Sequence, residues 1–234
     1  MSDSISNILI TGATSGIGRA TATQLVDRGA NVFVTGRSQE KIEALTGEHQ
    51  FAGSLTLDLT APHAAEELFK TAEEELGDID AVVHAAGAGL IKPVLDTSDA
   101  EFSRILNINT RVAFLVAREA ARHMSERKKG RFITLPGILG KAAMKNAAAY
   151  VASKYAVTGM IKAMTQEFQR SGVQFCLLHL GGVDSPFWDS LDMKVQRDKM
   201  IPCEVAAHAV VQALDLPPHL VMNEITIQPD SHQL

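Results

Sequence analysis

A doubly wound α/β fold, with about seven strands in one parallel sheet and helices on both faces, is what the sequence predicts, and three features predict it. Short apolar or β-branched runs recur along the chain with helix-length segments between them. These runs are continuously apolar rather than alternating, as expected of strands covered on both faces. The first run leads straight into TGATSGIG, residues 11–18, a glycine-rich turn that opens a helix.

The elements follow in order. NILIT (7–11) is the first strand, and a helix over 17–28 stops at Gly29. NVFVT (31–35) is the second, followed by a helix over 38–45; SLTLD (54–58) is the third, followed by a helix over 62–76 that stops at Gly77. DAVVHAAG (80–87) is the fourth. A long helix over 99–127 begins at Ser98-x-x-Glu101, a capping box, and carries Phe102, Ile105, Leu106, Val112 and Val116 on one apolar stripe. RFITL (131–135), a helix over 147–170, VQFCLLHL (173–180), a helix over 204–214 and EITI (224–227) complete the series. Such β-α-β repetition yields parallel strands joined by right-handed crossovers. The stretch 184–201 has no place in the sheet and reads as an insertion or lid. With no repeat and no linker rich in Pro, Gly or Ser, the whole of 1–234 is expected to form one domain.

Composition narrows the function classes. Hydrophobic residues make up 46% and charged residues 21% of the chain, the balance of a globular protein. A net charge of −5 and the lack of any Lys/Arg-rich run argue against nucleic acid or an anionic membrane as partner and favour a small molecule. The start, MSDSISNILI, has no cationic leader pattern, and no apolar run approaches the roughly 20 residues of a spanning helix, so a cytoplasmic protein is expected. Cys176 and Cys203 read as free thiols. The eight histidines are scattered and there is no CxxC, which makes a metal site an unpromising reading.

In TGATSGIG, Gly12 suits a tight turn, while Gly16 and Gly18 allow close approach of backbone to phosphate and of helix to sheet. The helix start then offers unpaired N–H groups to an anion, so the stretch reads as a dinucleotide cradle. After the second strand, TGRS (35–38) contains Arg37 and no carboxylate. That pattern suits the 2′-phosphate of NADP(H), or else Arg37 is a solvated side chain at a helix start. Asp58 either receives the adenine amino group or caps a turn. Tyr150 and Lys154 lie four apart on one helix face. A phenol with a reference pKa near 10 is a poor acid at neutral pH, and a neighbouring ammonium favours its ionised form, which suits proton exchange in carbonyl reduction. Asn109 lies on the apolar stripe of the long helix, so its amide needs partners, structural or functional.

Together these residues resemble the short-chain dehydrogenase/reductase family over essentially the whole chain. TGATSGIG is similar to its TGxxxGxG signature, Asp58-Leu59 to its acidic adenine contact, and YVASK (150–154) to its YxxxK motif. The resemblance implies a Rossmann fold with NAD(P)(H) lying across the point where strand order reverses, and hydride transfer between nicotinamide and a carbonyl or alcohol. Tyr150 is then the proton donor and acceptor; Lys154 lowers its pKa and binds the ribose; Asn109 holds a relay water. Cofactor contacts are implied for Gly12, Thr14, Ser15, Gly16, Ile17, Gly18, Arg37, Asp58, Leu59, Ala86 and Gly87, besides Tyr150 and Lys154. LGGVDSPFW (180–188) is similar to the family's PGxxxT loop and adds Gly181, Val183 and Ser185.

The chain departs from the pattern in three places. HAAG (84–87) stands for NNAG, which leaves His84 as a structural residue; Leu180 stands for a proline. Thirteen residues before Tyr150, where the family carries its catalytic serine, the chain has Gly137. The expectation is an NADPH-dependent reductase with an incomplete catalytic set, the alternative being an NADP(H)-binding sensor or assembly partner without chemistry. Family resemblance further implies a homodimer or homotetramer built on the two long helices. Leu139, Met144, Phe187, Trp188 and Met193 line an apolar substrate pocket or belong to the core.

Overall fold

The computed structural model describes residues 5–191 and 193–230; the first four residues of the start read above, and Asp192 of the 184–201 stretch, lie outside it. Seven parallel strands form one sheet: β1 (Asn7–Thr11), β2 (Asn31–Gly36), β3 (Gly53–Thr56), β4 (Ala81–His84), β5 (Gly130–Thr134), β6 (Val173–Leu180) and, after a separate parallel pair β7 (Val183–Asp184) and β8 (Ile201–Pro202), β9 (Glu224–Ile227). Their spatial order is β3-β2-β1-β4-β5-β6-β9. The chain winds outward from β1 to β3 and then returns to β4 on the other side of β1, so strand order reverses between β1 and β4 and opens a crevice beyond their C-terminal ends.

Consecutive strand residues enter opposite cores because side chains alternate across a sheet. Ile8, Ile10, Val32 and Val34 pack in the layer that contains helix α1 (Gly16–Asp27) and α7 (Cys203–Leu214). Leu9, Phe33, Phe132 and Phe175 pack in the opposite layer with α3 (Ala64–Leu76), α5 (Val112–Arg127) and α6 (Ala148–Glu167). Continuous apolarity in the strands is therefore a consequence of being sandwiched. Helix α2 (Gln39–Glu48) begins at Ser38, whose side chain accepts from Lys41 N, and the capping box of Ser98 and Glu101 opens α4 (Asp99–Leu106).

Three expectations change. The helix expected over 99–127 is α4, a π-helical turn (Asn107–Arg111) and α5. Asn109 lies in that turn with its side chain bonded to neighbouring segments, and single π-turns inside α-helices are frequent at functional sites. Phe102, expected on the buried stripe, is 40% exposed, because that stripe meets the core only from Ile105 onward. The third strand ends at Thr56 and the fourth at His84; the residues expected to extend them, 57–58 and 85–87, leave the sheet to line the crevice.

One buried cation organises the far end of the sheet. Arg131 of β5 is 3% exposed, and its guanidinium donates to the carbonyls of Ala213 (2.7 Å), Leu214 (2.9 Å), Leu216 (3.3 Å) and Leu220 (3.1 Å), with Nε on Gln174 Oε1 (2.9 Å). These carbonyls include the last ones of α7, which have no partner within the helix and carry the negative end of its dipole.

Candidate active site

The crevice continues into a cavity of about 720 Å³. Its floor is the 11–18 turn. Gly12 has φ 72°, and a Cβ there would stand 2.6 Å from Ala86 N, so the turn lies directly on the backbone leaving β4. Ser15 precedes α1 without a side-chain cap and no acidic residue occupies the first turn, which leaves that end of the helix to an anion. Gly12, Thr14, Ser15, Gly16, Ile17, Gly18, Arg37, Asp58, Leu59, Ala86, Gly87, Tyr150, Lys154, Gly181, Val183 and Ser185 all line this one cavity.

At the β2 end, Arg37 shares the rim with Lys41 of the first turn of α2, a cation not singled out in the sequence. A Cβ on Gly36 would stand 2.5 Å from Thr14 Cγ2, so a carboxylate-bearing residue at 36 is excluded while Thr14 keeps its place. Asp58 Oδ1 accepts from Thr60 N (2.9 Å) and Thr60 Oγ1 (2.8 Å), bonds that hold its carboxyl below the usual range with help from Arg37. Asp58 thus caps the turn and at the same time lines the cavity.

At the opposite end, Tyr150 and Lys154 of α6 face the cavity. Lys154 Nζ lies 5.7 Å from the Tyr150 ring centroid and donates to Leu135 O (3.3 Å). Burial pushes the Tyr150 phenol up and the Lys154 ammonium down to about 8. Against the expected lowering of Tyr150 by Lys154, desolvation of the phenolate acts in the opposite direction. Asn109, 3% exposed, stands behind this pair: Nδ2 donates to Ala88 O (2.9 Å) and Ser153 Oγ (2.9 Å), and Oδ1 accepts from Ala88 N (2.8 Å). Its amide is engaged in tying the β4 loop to α6. Ser153, the fourth residue of YVASK, completes the tie by donating to Tyr150 O (2.7 Å).

His84 is buried, with Nδ1 2.8 Å from Thr11 Oγ1 across the β1–β4 junction, and burial drives it down to about 3, hence neutral. Gly137 follows β5 with φ 71° and ψ 178°, a conformation closed to L side chains. Its carbonyl receives Gly140 N–H (3.0 Å) and faces His179 Nδ1 (3.0 Å). Leu139, Met144, Phe187 and Trp188 line the cavity as expected, with the Phe187 ring 5.9 Å from that of Tyr150. Met193 is not among the lining residues and is 37% exposed, so its assignment to the pocket is withdrawn. Among the described residues no cluster of three or more metal-ligating side chains occurs, and no helix is long and apolar enough to cross a membrane.

Fold and site together define a doubly wound α/β protein with an anion-binding glycine turn and a tyrosine–lysine pair in one continuous cavity. A family model described as short chain dehydrogenase matches residues 6–196, and the chain belongs to that family of oxidoreductases. It is 30% identical over 223 residues to an uncharacterized oxidoreductase of Staphylococcus aureus, covering 94% of this chain and 96% of that one. Among solved structures the fold is similar to an alcohol dehydrogenase of the archaeon Thermococcus sibiricus complexed with 5-hydroxy-NADP (TM-score 0.87, 24% identity, 97% and 98% of the two chains covered). It is likewise similar to a 3-ketoacyl-(acyl-carrier-protein) reductase of Brucella melitensis complexed with NADH (TM-score 0.89, 22% identity, 98% and 99% covered).

Proposed function

We propose that this chain is an NADPH-dependent reductase of carbonyl compounds, or a dehydrogenase of the corresponding alcohols. The observation that carries the reading is the single cavity joining the glycine turn to Tyr150 and Lys154. Its residues fit a nicotinamide dinucleotide: Gly12 and the start of α1 for the pyrophosphate, Asp58 and Leu59 for the adenine, Lys154 for the ribose, and Gly181, Val183 and Ser185 for the nicotinamide. When bound, the nicotinamide supplies or accepts the hydride. Tyr150, kept protonated by burial, hands its proton to the carbonyl oxygen. Asn109 positions the Ala88 backbone against α6, and Phe187 and Trp188 wall the substrate side as part of a lid over 184–201.

The preference for NADPH rests on Arg37 and Lys41 at the rim and on the exclusion of a carboxylate at Gly36. Arg37→Ala combined with Lys41→Ala is expected to raise the Kd for NADPH by about tenfold or more, the loss of one or two charge-assisted bonds, with the Kd for NADH unchanged. Fluorescence titration with both cofactors checks this. An equal loss for both would show that the two cations do not read the 2′-phosphate.

Gly137 stands at the family's serine position in this reading, and a serine there would be strained by roughly 1–3 kcal/mol. Its carbonyl is turned to His179 and Gly140; across the trans peptide the N–H of Ile138 points the opposite way, and Ile138 lines the cavity. We assign to that N–H the donation to the oxygen that a serine hydroxyl makes elsewhere. Gly137 also sustains the alternative, a nucleotide-binding protein without chemistry. Tight NADPH binding with no carbonyl-dependent oxidation across ketones, aldehydes and diketones would establish that alternative.

Assembly belongs to the same reading. Phe102 (40% exposed), Phe114 (44%) and Tyr155 (45%) stand on α4, α5 and α6, and we assign their face to a two-fold contact of a cytoplasmic homodimer or homotetramer. Light scattering is expected to give a dimer or tetramer, and Phe114→Glu a smaller species; a monomeric wild type overturns the assignment.

A further inference from the structure

His179 has no role in the chemistry above, yet it lies directly beneath the loop that does. It is fully buried in β6, beside the strand residue Leu178 whose carbonyl receives Gly137 N–H (3.3 Å). Nδ1 lies 3.0 Å from Gly137 O in hydrogen-bond geometry. Gly140, at the end of the same loop, fits tightly over the ring: a Cβ there would stand 3.3 Å from His179 Cε1. On the other side, Nε2 lies 3.0 Å from Glu224 Oε1 of β9, outside hydrogen-bond geometry. Glu224 is itself held by Lys141 (2.8 Å), from the segment after the loop, and by Lys162 (3.1 Å) of α6.

The chemistry of these neighbours decides where the ring carries its proton. A carbonyl only accepts, so contact with Gly137 O requires Nδ1–H. A neutral ring of that tautomer turns the Nε2 lone pair toward a carboxylate, an arrangement tolerable because two ammonium groups neutralise Glu224. Burial lowers the ring's basicity and so favours this neutral form.

We propose that His179 is a positioning residue for the reaction at Tyr150: its Nδ1–H fixes the Gly137 carbonyl, and through the rigid peptide it aims the Ile138 N–H into the cavity. The proposal rests on the reductase reading. Glycine at 137 then has a second consequence. It removes the hydroxyl, and it permits the backbone turn that presents an amide instead, with His179 as the anchor of that turn.

The test compares His179→Leu, which keeps bulk and loses the donor, with His179→Asn, whose amide nitrogen can stand near the place of Nδ1. The leucine variant is expected to lower kcat for carbonyl reduction roughly 10- to 100-fold, the effect of misplacing one transition-state donor, with NADPH affinity unchanged. The asparagine variant is expected to recover most of that loss. Unchanged kcat in the leucine variant, or an asparagine variant as slow as leucine, overturns the proposal. Nitrogen-15 NMR of the wild-type histidines supplies a readout that needs no turnover. A His179 proton on Nδ1 at neutral pH supports the contact with Gly137, and a proton on Nε2 alone overturns it. If the wild type oxidises no NADPH on any carbonyl, the reductase reading fails and the catalytic consequence fails with it, while the NMR result still decides the His179 contact separately.

Discussion

Tyr150→Phe is expected to lower kcat for carbonyl reduction by about 10²–10⁴-fold, the usual worth of a positioned general acid, while NADPH binding stays intact. Phenylalanine keeps the ring that packs 5.9 Å from Phe187 and under Lys154, so the substitution removes the proton donor and little else. Tyr155 offers no substitute, being 45% exposed and absent from the cavity lining. The measurement is NADPH absorbance at saturating cofactor, with binding followed separately by fluorescence. Wild-type turnover in the variant would show that the proton comes from elsewhere and would end the proposed mechanism. A parallel loss of NADPH affinity would instead mean that Tyr150 acts mainly in holding the cofactor.

The second large effect concerns stability. Arg131→Met removes a buried guanidinium that serves the carbonyls of Ala213, Leu214, Leu216 and Leu220, and methionine has no donor to replace it. With buried acceptors left unsatisfied at about 1–3 kcal/mol each and water reaching some of them, a net loss of roughly 3 kcal/mol is expected. For a chain of this size that lowers Tm by roughly 6–12 °C. Arg131→Lys should fall between, because a single ammonium serves fewer carbonyls than a planar fork. Urea unfolding of the three proteins side by side gives the comparison. A methionine variant within about 0.5 kcal/mol of wild type, the ordinary range for a neutral surface change, would show that water replaces the guanidinium at every carbonyl. The end of α7 would then be held by packing alone.

Both predictions start from residues whose visibility in the sequence differs. Tyr150 and Lys154 were legible because a helix places i and i+4 on one face whatever surrounds it, and the glycine turn was legible because a strand, a tight turn and a helix start are all local events. The order of strands and helices was legible for a related reason: period and punctuation belong to short windows. The burial of Arg131 was not, since an arginine at the start of a strand reads as a surface cation until the end of α7 is seen to fold over it.

Resemblance to the family extended the reading to loop residues such as Ser185, and the structure brings all the expected cofactor contacts into the lining of one cavity, with Asn109 behind it and Met193 outside it. Asn109 could be placed on a helix face but not in its network, because its partners Ala88 and Ser153 lie 21 and 44 residues away. The direction in which Tyr150 shifts follows from desolvation, a property of everything packed around it rather than of the lysine one turn away. His179 was invisible as more than a strand residue, since its contacts with Gly137 and Glu224 come from β5 and β9 meeting β6 in the sheet.

By itself, then, the sequence determined what short-range geometry governs: a doubly wound α/β chain, a cradle at the first turn, and a phenol and an ammonium on one helical face. The tertiary structure alone decided which way Gly137 turns, what stands against the two ring nitrogens of His179 and how far Tyr150 is desolvated. Those depend on groups brought together from distant parts of the chain, where packing and desolvation outweigh any preference a single residue carries.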